Sequence, residues 1–213
     1  MFETLKAAFT TLLVTIDPPG VAPVFLALTA GMSFRERREV ALRTAGTAFA
    51  VLVLFAFGGR PVLHLLGISI SAFRIAGGLL LFTIAVEMIF GREERNKQDF
   101  ANEAVTRDHI SNIAAFPLAI PLLAGPGSIT ATILLAERTE NDWPLFFALA
   151  GVIALIMAIT FLAFVSAGWF GRFLGVTGQI VLSRMLGVIL AALAAQFVID
   201  GVTTVVGSRN LPS

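Results

Sequence analysis

Two proline–glycine interruptions inside long apolar runs constrain this chain more than any other feature. Asp17-Pro18-Pro19-Gly20, followed by Pro23, interrupts a run from about Leu5 to Met32. Ala124-Gly125-Pro126-Gly127-Ser128, preceded by Pro117 and Pro121, interrupts another from about Ile113 to Leu135. Proline in a helix interior removes an N–H and clashes with the preceding turn, so each cluster predicts a broken helix. Lipid offers no hydrogen-bond partners, and broken backbone at membrane depth must therefore face protein or a wet cavity. Paired interruptions in corresponding halves of a membrane chain point to a transporter's binding site.

Composition supports the membrane setting. Hydrophobic residues make up 57% of the 213 and charged residues 14%, with a mean hydropathy of +0.89. Soluble domains run nearer roughly 45–50% apolar and about 25% charged. A net charge of +1 supplies no basic face for nucleic acid. The absence of cysteine excludes disulfides and thiolate metal sites. His64 and His109 stand far apart, and no HExxH, P-loop or GxGxxG element occurs in a suitable context, so no metal, cofactor or enzymatic chemistry is implied. Glu3 beside Lys6, and the prolines after Asp17, do not resemble a signal peptide; the first segment reads as a retained span.

A membrane helix needs roughly 20 apolar residues. Six segments qualify: about 5–32, broken at Asp17–Gly20; 41–58, ending at Gly58-Gly59-Arg60-Pro61; 69–90, ending at Gly91; 112–135, broken at Gly125–Gly127; 144–168, opening at Trp143-Pro144; and 183–206. The expectation is an all-α polytopic membrane protein, with helices 1 and 4 broken near the midplane. The polar stretch 92–111 reads as a cytoplasmic linker between a first repeat, 1–91, and a second, 112–213. Arg35, Arg37, Arg38, Arg43, Arg92, Arg95, Lys97, Arg107 and Arg172 fall on one side, against Lys6, Arg60, Arg138 and Arg209 on the other. The positive-inside rule then places both termini outside, periplasmic or extracellular.

The two parts repeat. Pro19-Gly20 matches Pro126-Gly127, Arg74 and Gly77 match Arg184 and Gly187, and Gly91 matches Gly201, all at an offset of about 110 residues. Each repeat holds three spans, an odd number, so the second must be inserted inverted, a common transporter plan.

Each candidate site residue has a structural and a functional reading. Asp17 with Pro18 is a helix-start pattern, an N-cap before proline at the first helical position. A carboxyl inside a span is also a candidate proton or cation site, because burial favours its neutral form. Gly125, Pro126, Gly127 and Ser128, like Pro18, Pro19 and Gly20, set the start of a half-helix, whose free N–H groups and dipole attract anions such as an amino-acid carboxylate; the bland reading is a kink for packing. Thr15, Thr130 and Thr132 either line the same cavity or join helices. Arg74 and Arg184 sit at equivalent places, for snorkelling, for capping broken-helix carbonyls or for substrate contact. Glu87 and Asp200 read as solvated segment ends, and His64 and His109 as loop surface residues.

The stretch Asn112-Ile-Ala-Ala-Phe-Pro117-Leu-Ala-Ile-Pro121-Leu-Leu-Ala-Gly125-Pro126-Gly127-Ser128-Ile129 resembles the signature of the MarC family. So do Gly67-Ile-Ser-Ile-Ser-Ala-Phe-Arg74-Ile-Ala-Gly77-Gly78, and Ser183-Arg184-Met-Leu-Gly187 followed by Gln196-Phe-Val-Ile-Asp200-Gly201. The resemblance spans nearly the whole chain. It implies a six-span inner-membrane protein, grouped with LysE-type amino-acid exporters, some relatives of which are linked to small neutral amino acids.

The sequence therefore supports a secondary transporter of a small neutral amino acid or similar zwitterion, driven by an ion gradient or by the substrate's own. The alternative is a non-transporting structural or regulatory membrane protein whose kinks serve packing. The expected partners are a small-molecule substrate and the lipid bilayer, with the oligomeric state open.

Overall fold

The computed structural model describes residues 2–30, 32–91, 114–139 and 142–209. Its regular elements are all helical: α1 (Phe2–Ile16), α2 (Pro18–Leu28), α3 (Phe34–Leu65), α4 (Ile70–Phe90), a π-helical segment (Ala114–Leu123), α5 (Pro126–Glu137) and α6 (Trp143–Arg209). The expected linker at 92–111, His109 and the first two residues of the Asn112 stretch lie outside the described residues.

Among the described residues, five stretches are long and apolar enough to cross a membrane: Phe2–Leu28, Phe34–Leu65, Ile70–Phe90, Trp143–Ala167 and Ile180–Val206. The last two belong to α6, a 67-residue helical run that is not straight. A straight helix would hold Asp200 about 85 Å from Trp143. Yet Asp200 forms an ion pair at 3.1 Å with Arg138, only five residues before that start. The run therefore folds back between the two spans.

The broken segments occupy the middle. The first span has 61% of its apolar window buried, against 28–39% for the other four. In α5, Gly127, Ser128 and Thr130–Leu135 are all buried. Around them, Leu12, Phe25, Leu52, Leu81, Leu118, Leu134, Ile153 and Leu190 meet in one core drawn from every element. Phe25 of α2 stacks on Phe164 of α6, with ring centroids 4.4 Å apart. Leu54, Leu79, Phe82, Leu155, Leu162 and Val188 point outward, exposed on the flanks of the spans, as a lipid-facing surface requires.

Local signals explain most helix ends. Ser33 and Glu36 form a capping box at the start of α3. Ser69 caps α4, and Gly91, at φ 71°, closes it in the left-handed region that glycine enters without strain. Asp142 accepts the Leu145 N–H at 3.1 Å and starts α6 ahead of Pro144.

One expected boundary is wrong. The second span does not stop at Gly58-Gly59-Arg60-Pro61; α3 runs through these residues to Leu65, which puts His64 in its last turn rather than in a loop. Packing overrides the local signal: a Cβ on Gly59 would fall 2.6 Å from Ile133, so α3 and α5 touch where glycine allows it.

The α4 helix packs along the Ile180–Val206 span, antiparallel and through glycine. A Cβ on Gly78 would meet the Ala194 carbonyl at 2.8 Å, one on Gly187 the Met88 Cβ at 2.9 Å, and one on Gly201 the Ser71 carbonyl at 3.0 Å. Small residues at such crossings let backbones approach where no hydrophobic effect drives association.

Candidate functional site

Asp17 organises the first break. Its own N–H still reaches the Leu13 carbonyl at 3.1 Å, so α1 is intact up to this residue. The backbone then turns into the left-handed region, φ 48° and ψ 63°, which aspartate tolerates better than most residues. Pro18 and Pro19 have no N–H to satisfy. The first donor of α2 is therefore the Gly20 N–H, and Asp17 Oδ1 accepts it at 3.1 Å. The other carboxylate oxygen, Oδ2, accepts a hydrogen bond from the Ser183 hydroxyl at 3.0 Å. Asp17 is only 1% exposed. Glycine is required at position 20, where a Cβ would lie 1.8 Å from Asp17 Oδ2.

The second break is built differently. The π-helical segment ends with the Ala124 N–H on the Ala119 carbonyl at 2.8 Å. Gly125, extended at φ −84° and ψ 176°, starts α5 without a side-chain cap. A Cβ here would strike the Pro121 carbonyl at 2.3 Å, which explains this glycine. The buried Ser128 hydroxyl donates to the Leu123 carbonyl at 2.7 Å and ties the two pieces together. The Gly127 and Ser128 N–H groups belong to the first turn, which helix geometry leaves without an intrahelical partner.

The two breaks meet. A Cβ on Gly127 would lie 3.3 Å from the Thr15 methyl and 2.6 Å from Ile84 of α4. Thr15 turns its hydroxyl to the Thr11 carbonyl at 2.6 Å, and Thr132 bonds the Ser128 carbonyl at 2.7 Å. The Thr130 methyl fills the space over Gly77. These hydroxyls are engaged within their own helices, as hydroxyls in apolar helices commonly are.

The arginines make their contacts with other groups. Arg74 pairs with Glu137, at the far end of α5 from Pro126, at 2.6 Å with both side chains largely buried. Its Nε is buried and, among the described residues, has no hydrogen-bond partner. Arg184 is exposed, with its guanidinium beside Gly91 at the C-terminus of α4, where a cation is favoured. Asp200 is not a bare solvated end: it pairs with Arg138, whose guanidinium also sits 5.5 Å from the Phe197 ring centroid. Glu137, the last residue of α5, and its C-cap Arg138 thus reach two different helices. Asp17 lines no part of the cleft of about 490 Å³ that opens between α3, α5 and α6. Among the described residues no group of three or more His, Asp or Glu side chains gathers as a metal site.

Ser183 is the site residue that sequence reasoning missed. Its signal was a small hydroxyl in an apolar helix, at the head of the Ser183-Arg184-Met-Leu-Gly187 motif.

A family model described as MarC family integral membrane protein matches residues 2–206. The chain belongs to this family. It is 37% identical to a UPF0056 membrane protein of Archaeoglobus fulgidus, over 96% of this chain and 95% of the relative. It is 38% identical to one of Methanocaldococcus jannaschii, over 92% and 94%, and 37% identical to one of Escherichia coli, over 91% and 89%. No solved structure matches. This MarC protein is thus a multi-pass membrane protein with a broken first helix.

Proposed function

We propose that this MarC protein is a secondary transporter of a small neutral amino acid or similar zwitterion across the inner membrane. The observation that carries the reading is the meeting of the two breaks, Thr15 against Gly127, beside the buried carboxylate of Asp17. In this reading α5 presents its N-terminal N–H groups to a substrate carboxylate, and Asp17 serves the substrate ammonium or a proton. Pro18, Pro19, Gly20, Gly125 and Pro126 shape the breaks. The π-helical segment with α5 counts as a sixth span, and the chain forms two inverted three-helix repeats. The antiparallel glycine contact of α4 with the Ile180–Val206 span supports that symmetry, since the two are equivalent elements of the repeats. Both termini then face outward. The grouping with LysE-type exporters that the family resemblance implies points to the same substrate class.

A second reading, a structural protein whose breaks serve packing, draws support from the hydroxyls of Thr15, Ser128 and Thr132, all bonded to nearby backbone. Uptake of labelled alanine and leucine into liposomes holding the purified protein separates the two. Saturable, protein-dependent flux, lost in Asp17→Asn, is the expected result; flux no greater than in empty liposomes across the neutral amino acids leaves the packing reading.

A further inference from the structure

The cleft of about 490 Å³ lies at the end of the bundle where α3 and α5 finish and α6 begins, away from Asp17. Its volume falls within the range of small-molecule sites, about 300–1,000 Å³. Arg60 and His64, one turn apart on α3, stand on one wall, and Asp142 stands on the α6 side. Arg60 and Asp142 carry opposite charges and line the same cleft, yet they make no ion pair with each other or with any other described residue. Asp142 is held in place by its cap bond to the Leu145 N–H. Ala56, Ile133 and Ala136 add apolar lining to the same cleft. Trp143 and Phe57 flank Phe146 edge-on, with centroids 6.2 and 6.3 Å away, and so give the cleft an aromatic side.

We infer that this cleft is a binding site for a zwitterion with an apolar body. Its acidic group lies on Arg60, with His64 alongside, and its ammonium lies between Asp142 and the face of Trp143. Charge-assisted hydrogen bonds hold the two heads, and an ammonium over an indole adds a cation–π contact. The apolar body covers Ile133 and Ala136. A ligand carrying only one charge would leave the opposite wall without a counter-ion, which is why the pair selects for both. Two sources share this chemistry: a free apolar amino acid, and the headgroup of a phosphatidylethanolamine entering from the bilayer interface, where tryptophan is enriched. The site does not depend on transport, and its test measures binding rather than flux.

The chain has two tryptophans, so Trp169→Phe leaves Trp143 as the sole indole reporter. This variant is placed in nanodiscs of phosphatidylglycerol and titrated with leucine, N-acetyl-leucine and leucinamide. If the ligand is a free amino acid, leucine shifts the Trp143 emission saturably and the two blocked analogues bind roughly tenfold more weakly, the scale of one lost charge-assisted bond. Asp142→Asn, which retains the cap, then loses the preference over N-acetyl-leucine, and Arg60→Gln loses the preference over leucinamide. If the ligand is lipid, nanodiscs of phosphatidylethanolamine shift the emission without leucine, and Asp142→Asn, which removes the counter-ion of the ammonium, abolishes the difference between the two lipids. Melting temperatures of both variants close to the parent's exclude misfolding as the cause. A spectrum indifferent to leucine and to both lipids, or a response that survives both substitutions, overturns the assignment.

Discussion

Ser183 donates a hydrogen bond to Asp17 across 166 residues of sequence, at 3.0 Å and in full burial. The bond joins the break between α1 and α2 to the last span, and it uses the carboxylate oxygen that the Gly20 cap leaves over. Leaving a buried acceptor without its donor costs about 1–3 kcal/mol. Ser183→Ala should therefore lower stability by about 1–3 kcal/mol, read as a lower melting temperature of the detergent-purified protein. A melting temperature equal to wild type would mean that the bond contributes nothing.

Asp17→Asn and Asp17→Ala should differ. Asparagine caps about as well as aspartate and tolerates the left-handed backbone. Its stability should stay close to wild type, while any transport that needs the charge disappears. Alanine loses the cap and holds the same φ without side-chain support, at a combined cost of about 2–3 kcal/mol. Thermal unfolding of the two variants side by side checks the ranking; alanine equal to asparagine would contradict the cap.

Gly20→Ala drives a methyl into Asp17 Oδ2 and should destabilise by about 1–3 kcal/mol. Because the displaced carboxylate is the acceptor for Ser183, the effects should not add. Ser183→Ala in the Gly20→Ala background should cost much less than it does alone, a coupling that a double-mutant cycle measures. Simple additivity would show that the two residues act independently.

Glu137→Gln leaves the guanidinium of Arg74, only 14% exposed as a side chain, without its ion partner. Breaking a fully buried pair costs about 3–5 kcal/mol, and partial exposure reduces that to about 1–3 kcal/mol here. Arg74→Met together with Glu137→Gln should recover part of the loss, because no charge is then left buried. A double variant less stable than Glu137→Gln alone would argue that the pair contributes more than compensation.

Glycines sort by what surrounds them. Gly187→Ala places a methyl 2.9 Å from the Met88 Cβ and should separate the last span from α4, lowering the melting temperature. Gly151→Ala meets nothing within 4 Å and should be neutral or stabilising by up to about 1 kcal/mol, the helix preference of alanine over glycine. The reverse order would put the tight crossing elsewhere.

The sequence by itself determined that the chain is helical, that it belongs in a membrane, and where the first and fourth apolar segments break. These follow from local chemistry: Pro18 and Pro19 lack N–H groups wherever they stand, and runs of apolar residues mark spans without reference to their neighbours. The cap role of Asp17 was legible for the same reason, since Gly20 lies within reach along the chain. Only the tertiary structure decided that Asp17 takes its second donor from Ser183, that Glu137 and Arg138 pair with Arg74 and Asp200, and that α3 continues through Gly58 and Pro61. Those outcomes depend on which helix faces meet, and a single chain's spacing carries no record of that. At Pro61 the local signal was even opposed to the result. Gly59 gave up a side chain so that Ile133 could approach, and the contact with α5 outweighed the turn that glycine and proline favour on their own.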